Sequence, residues 1–136
     1  MKPMLVEEVR KTDGEIKQYQ PEIVNRMISE ETYQTIKAML KNVVETGTGR
    51  GAQTRGYSIM GKTGTSQSYR NGKAQTELGT TIASLAGYGP YDEPAFVILV
   101  KYDFPKTSPW GSETAAVTFG KISRFLVEYL EIPPER

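Results

Sequence analysis

An α+β fold, an antiparallel β-sheet with flanking helices, is what this sequence predicts, and three observations carry the prediction. Strand-like runs come in pairs joined by Asp-Gly or Asn-Gly, the strongest short hairpin signal. Helical periodicity is confined to two stretches, one in the first half and one at the end. The two longest apolar runs follow one another with only a Gly-Pro and Asp-Glu-Pro connection between them. The resulting order of hairpin, helix, strands and helix suits an antiparallel sheet with helices packed on it rather than alternating βαβ units.

The elements follow in order. Leu5 to Val9 and Glu15 to Tyr19 form a small hairpin around Thr12-Asp13-Gly14, and Pro21 closes it. Ser29 is a good N-cap, with Glu30 and Glu31 complementing the helix dipole and Ile28 placed to staple onto Tyr33. The helix runs from about Glu30 to Thr46, carries Tyr33, Ile36, Leu40, Val43 and Val44 on one face, and ends at a left-handed stop in Gly47-Thr48-Gly49. Arg50 to Gly56 reads as a loop and Tyr57 to Gln67 as a strand, with Asn71-Gly72 marking a hairpin turn. Thr80 to Tyr88 and Ala95 to Tyr102 are adjacent antiparallel strands, and the unbroken run Phe96 to Val100 predicts cover on both faces. Ser112 caps a last helix whose core stripe is Phe119, Ile122, Phe125, Leu126, Tyr129 and Leu130, ended by Pro133 and Pro134.

Composition narrows the chemistry. The 136 residues fall in the size range of one domain, with 38% hydrophobic and 24% charged residues. Seventeen basic residues stand against sixteen acidic ones and are scattered along the chain, which gives no footprint for nucleic acid. No apolar run approaches the length of a membrane span, and Met1 to Arg10 lacks the apolar core of a signal peptide, so no membrane contact is expected from this segment. With no Cys and no His, thiol nucleophiles, imidazole bases and the usual soft metal ligands are excluded. Any chemistry runs on Lys, Ser, Thr, Tyr and carboxylates, and no metal or cofactor is expected.

One segment, Gly56-Tyr57-Ser58-Ile59-Met60-Gly61-Lys62-Thr63-Gly64-Thr65, satisfies two motifs at once. Gly56 to Thr63 fits the phosphate loop of nucleotide-binding proteins, while Lys62 to Gly64 fits the Lys-Thr-Gly of penicillin-binding proteins and β-lactamases. A phosphate loop must follow a parallel strand and open a helix. Here Arg50 to Arg55 is not an apolar strand, and Gly64, Ser66, Ser68, Asn71 and Gly72 make a following helix a poor prospect. The nucleotide reading is therefore the alternative. Along a strand Lys62 and Thr63 point to opposite faces, so both reach one substrate only if it lies against the strand's edge. Gly64 then permits close backbone approach, Lys62 supplies a cation, and Thr63 and Thr65 supply hydroxyl donors suited to a carboxylate. A backbone N–H near Thr65 is placed to stabilise an oxyanion.

Further blocks in the same order extend the match. Lys2-Pro3 precedes a strand, the first helix ends Val43-Val44-Glu45-Thr46-Gly47-Thr48-Gly49, and Gly56-Tyr57 leads into Gly61 to Gln67. Ala83-Ser84-Leu85-Ala86-Gly87-Tyr88-Gly89-Pro90, the apolar strand to Val100, and Ala115 to Phe119 complete the series. Taken together the chain resembles the C-terminal part of the transpeptidase domain of class B penicillin-binding proteins, over residues 1–136 as one portion. The resemblance implies a partial transpeptidase fold of the penicillin-binding and β-lactamase type, acting on peptidoglycan stem peptides by serine acyl transfer and binding β-lactams. It implies a catalytic, proton-network role for Lys62, carboxylate binding by Thr63 and Thr65 beside Gly64, and the Thr65 N–H as half of the oxyanion hole. It also implies a parent at the extracytoplasmic face of the bacterial plasma membrane. The sequence departs from the family in one respect: no Ser-x-x-Lys and no Ser-x-Asn occurs in it. The nucleophile is expected upstream, the upstream part of the same domain becomes a partner, and the chain alone is expected to be inactive. Trp110 and Tyr69 are minor candidates for a groove lining.

Overall fold

The computed structural model describes residues 2–135, which fall into two compact units divided between Tyr33 and Gln34. In the first unit β1 (Glu8–Arg10) and β2 (Ile16–Gln18) pair antiparallel, Glu8 opposite Gln18. The hairpin turns on Gly14, whose φ of +88° explains the glycine, and the Asp13 carboxylate accepts the Glu15 N–H at 3.0 Å. The strands are shorter than the apolar runs suggest, and from residue 2 to residue 32 only Glu8 is even half-buried.

Helix α1 spans Glu30–Glu45. Ser29 caps it as its residue type predicts, Oγ accepting the Thr32 N–H at 3.2 Å, whereas Ile28 remains 41% exposed. The helix end corrects the sequence reading, because neither Gly47 nor Gly49 is left-handed. Instead the chain wraps tightly: the Gly49 N–H donates to Val43 O at 2.9 Å, and a Cβ on Gly47 would stand 2.9 Å from that same oxygen. Glycine is required here by crowding rather than by φ.

After a short 3-10 turn at Arg50–Ala52 the chain forms a four-stranded antiparallel sheet of β3 (Met60–Arg70), β4 (Lys73–Gln75), β5 (Thr81–Gly89) and β6 (Phe96–Asp103), in the order β4-β3-β5-β6. Asn71 and Gly72 both have positive φ, as the two-residue hairpin between β3 and β4 demands. Helix α2 (Ala115–Tyr129) follows. One face of the sheet is closed: Leu85 lies opposite Thr63 and Val100, and Leu85 and Val100 join Val44, Ala52, Ile59, Ala115, Ala116 and Phe119 in one buried cluster.

Three expectations are corrected in this unit. The run Phe96 to Val100 is not covered on both sides, since Val97 is 82% and Leu99 70% exposed while Val100 is buried. This is the period-2 alternation of a strand packed on one face only. Helix α2 starts at Ala115 with Thr114 at the N-cap position, not Ser112, and Thr114 Oγ1 donates to Trp110 O at 2.7 Å instead of capping the helix. Its buried face is Ala115, Ala116, Phe119, Gly120, Ser123 and Val127, leaving Phe125 and Tyr129 stacked on each other in solvent with ring centroids 5.6 Å apart. The small residues win because the helix lies against backbone: a Cβ on Gly120 would sit 2.5 Å from Gly51 O, closer than any side chain permits.

Candidate functional site

Strand β3 carries Lys62, Thr63, Gly64 and Thr65 in its first half. Its register with β5 is continuous from Met60 opposite Tyr88 to Gln67 opposite Thr81, while β4 pairs only with Ser68 to Arg70. Among the described residues no strand therefore pairs with the outer edge of β3 from Met60 to Gln67. The Ser68 N–H donates to Thr80 O at 3.2 Å. Because backbone groups alternate sides along an antiparallel strand, Ser68, Ser66, Gly64 and Lys62 direct theirs at β5, and Thr63 and Thr65 direct theirs at the open edge.

The side chains divide across the sheet in the way their alternation predicts. Lys62 is exposed on the face it shares with Ala86 and Leu99, and its Nζ donates to Thr63 O at 2.8 Å. No ion pair among the described residues involves it. Thr63 and Thr65 lie on the other face, and each hydroxyl has a partner. Thr48 Oγ1 stands 2.8 Å from Thr63 Oγ1, and the Gly111 N–H donates to Thr65 Oγ1 at 3.3 Å. With a lone pair of Thr65 occupied in this way, its O–H remains available as a donor towards the open edge; Thr63 has the same freedom when Thr48 is the donor of their pair.

The loop between β6 and α2 is what brings Gly111 there. Thr81 Oγ1 donates to Pro109 O at 2.8 Å, and Ser108 Oγ accepts the Trp110 N–H at 3.2 Å. A Cβ on Gly111 would lie 2.5 Å from Ser84 O and 2.8 Å from Gly64 O, so only glycine lets the loop reach the strand. Gly64 also has an intramolecular reason to lack a side chain, since its Cβ would stand 2.7 Å from Ser84 Oγ. Trp110 is 45% and Tyr69 72% exposed. Sequence reasoning misses Thr48 and Gly111 as site residues, because Gly-Thr-Gly after a helix and Gly in a Pro-containing loop both read as punctuation.

The phosphate-loop alternative fails on this geometry. Lys62 and Thr63 lie inside β3, the strand runs on to Arg70, and no helix opens after Gly61. Among the described residues there is also no His, Cys, Asp and Glu cluster able to hold a metal, and no helix is long and apolar enough to cross a membrane.

The structure sets the Lys-Thr-Gly motif that penicillin-binding proteins and β-lactamases share on an open-edged strand of an antiparallel sheet, flanked by a helix on each side in sequence. The family described as the penicillin-binding protein transpeptidase domain matches residues 1–124, and the chain belongs to that family. It is 37% identical over 126 residues to stage V sporulation protein D of Bacillus subtilis, covering 92% of this chain and 19% of that protein. It is 31% identical to penicillin-binding protein PbpB of Mycolicibacterium smegmatis, covering 96% of this chain and 22% of that protein. Among solved structures it is similar to penicillin-binding protein 3 of Mycobacterium tuberculosis complexed with ampicillin, with a TM-score of 0.79, 28% identity, and coverage of 95% of this chain and 30% of that one. The transpeptidase domain of penicillin-binding protein 3 from Burkholderia pseudomallei matches with a TM-score of 0.77 and 28% identity, covering 89% and 37%. The chain thus spans about a fifth of the length of these curated relatives.

Proposed function

We propose that this chain supplies the substrate-binding wall of a D,D-transpeptidase that cross-links peptidoglycan stem peptides, its serine nucleophile lying in polypeptide outside these 136 residues. The observation that carries the reading is the open edge of β3, where the Thr65 N–H, the hydroxyls of Thr63 and Thr65 and the Lys62 ammonium border one unpaired strand edge. A stem peptide ending in D-Ala-D-Ala lies extended along that edge, and its terminal carboxylate accepts hydrogen bonds from the Thr63 and Thr65 hydroxyls. Attack by the serine Oγ on the penultimate carbonyl carbon forms a tetrahedral oxyanion, to which the Thr65 N–H donates. One such donor is worth about 10²- to 10³-fold in rate.

Collapse of that intermediate breaks the amide bond and expels D-alanine, whose amine takes up the proton that left the serine. An amine of a second stem then attacks the ester, regenerates the serine and closes the cross-link. Lys62 stabilises the negative charge that develops in both steps and belongs to the network that moves the proton. The carboxylate and strained amide of a β-lactam meet the same groups, in keeping with the ampicillin complex of the M. tuberculosis relative. On this reading the parent acts at the extracytoplasmic face of the bacterial plasma membrane, in keeping with relatives named for peptidoglycan synthesis.

The test is reconstitution. The chain is mixed with an upstream polypeptide of the same domain bearing Ser-x-x-Lys, and acylation by a fluorescent penicillin is followed. Labelling is expected in the mixture, is absent from this chain alone, and falls about 10²- to 10⁴-fold with Lys62→Ala. Equal labelling with and without Lys62 would remove the lysine from the proposed site.

A further inference from the structure

At the foot of β3, away from the Lys-Thr-Gly-Thr edge, a carboxylate is held by two backbone N–H groups. Glu135 Oε2 accepts the Ser58 N–H, and Glu135 Oε1 accepts the Asp92 N–H at 3.2 Å. The two donors come from separate segments: Ser58 lies two residues before the start of β3, and Asp92 lies in the connection between β5 and β6. A cavity of about 490 Å³ opens at this point, lined by Lys41, Gly56, Tyr57, Ser58, Tyr91, Asp92 and Glu135.

We propose that this cavity is a carboxylate-binding site whose resident ligand is the chain's own Glu135, and that the bound carboxylate latches the segment leading into β3. Three features support it. Each carboxylate oxygen meets its own N–H, an arrangement that discriminates a planar two-oxygen anion from a monatomic one. The wall carries a cation: Lys41 stands 3.6 Å from Glu45 and 4.9 Å from the centroid of Tyr91, whose ring also has Lys37 Nζ 4.0 Å away. The segment bringing Glu135 in is tied down independently of its carboxylate, since Tyr57 Oη donates to Ile132 O at 2.6 Å and the Glu135 N–H donates to Gly56 O at 2.9 Å. The side chain is thus delivered to the pocket by a fastened strap. The family model ends at residue 124, short of this strap, and the site rests on its own geometry whether or not the transpeptidase assignment holds.

The test uses the whole chain and needs no activity. In Glu135→Ala, hydrogen exchange at the Ser58 and Asp92 amides is expected to accelerate at least about tenfold, the loss of two bonds to a charged acceptor. Sodium acetate is then expected to return both amide resonances towards their wild-type positions in a saturable manner, while sodium chloride at equal ionic strength does not. Glu135→Gln, which keeps the shape but offers one acceptor oxygen, should release one amide and hold the other. Unchanged protection of both amides in either variant overturns the latch, and equal responses to acetate and chloride overturn the site.

Discussion

Gly87 shows how little room single positions in this fold leave. It lies on β5 opposite Gly61, and a Cβ there would stand 2.6 Å from Met60 O and 2.9 Å from two ring atoms of Phe119. Gly87→Ala should destabilise the chain by about 1–3 kcal/mol through overpacking, read as a lower denaturant midpoint. Thr48 makes the opposite kind of prediction. Its hydroxyl meets Thr63 at an exposed position, so Thr48→Val should leave the unfolding midpoint nearly unchanged. In the reconstituted assembly it should slow acylation by a β-lactam acid about 3- to 10-fold, the worth of one ordinary hydrogen bond. It should not slow acylation by the methyl ester, and Thr48→Ser should restore the rate. At this scale the sequence is legible where a residue type has one use, as Ser29 does at its cap. It is not legible where glycine has two, since crowding at Gly47 and a positive φ at Gly14 leave the same letter.

Two of the corrected elements, α2 and β6, are read by counting large apolar side chains. Counting large apolar side chains assigns α2 a face through Phe125 and Tyr129, whereas the helix packs through Ala115, Ala116, Gly120 and Ser123 because it sits on the backbone of the 3-10 turn. Distance between backbones is not written in any one segment's periodicity. The buried Ser123 hydroxyl pairs with that of Thr54, so Ser123→Val should cost about 1–3 kcal/mol by leaving Thr54 unsatisfied. Phe125→Ser should stay within about 0.5 kcal/mol, as exposed positions do. Strand β6 fails in the same way: five apolar residues in a row read as two-sided cover, yet Val97 and Leu99 face solvent. Circular dichroism melts of Leu99→Lys and Val100→Lys separate the readings, with only the second expected to unfold the chain. The order of strands and the register-setting turns, by contrast, are legible because Asp-Gly and Asn-Gly act locally.

Across the whole molecule, the buried core is concentrated in one of the two units. Every residue of the buried core lies between Val44 and Val127, and none of residues 2–32 is buried. Removing residues 1–28 should therefore shift the unfolding midpoint of the remainder by less than about 1 kcal/mol, measured in urea. A larger loss would assign the first unit a structural role. The candidate site was legible in kind from Lys62 to Thr65, because the motif is contiguous. Its supports, Thr48 and Gly111, were not, since they stand 15 and 46 residues from the threonines they touch.

The short hairpin closing on Asn71 and Gly72 has a metric consequence. Because β4 joins β3 only from Ser68 onward, the open stretch from Met60 to Gln67 has a fixed length, about 25 Å at the rise of a β-strand. An extended pentapeptide measures about 17 Å. On the proposed reading, a guest threaded alongside Thr63 and Thr65 runs out of berth at Gln67, with β4 as the buffer-stop.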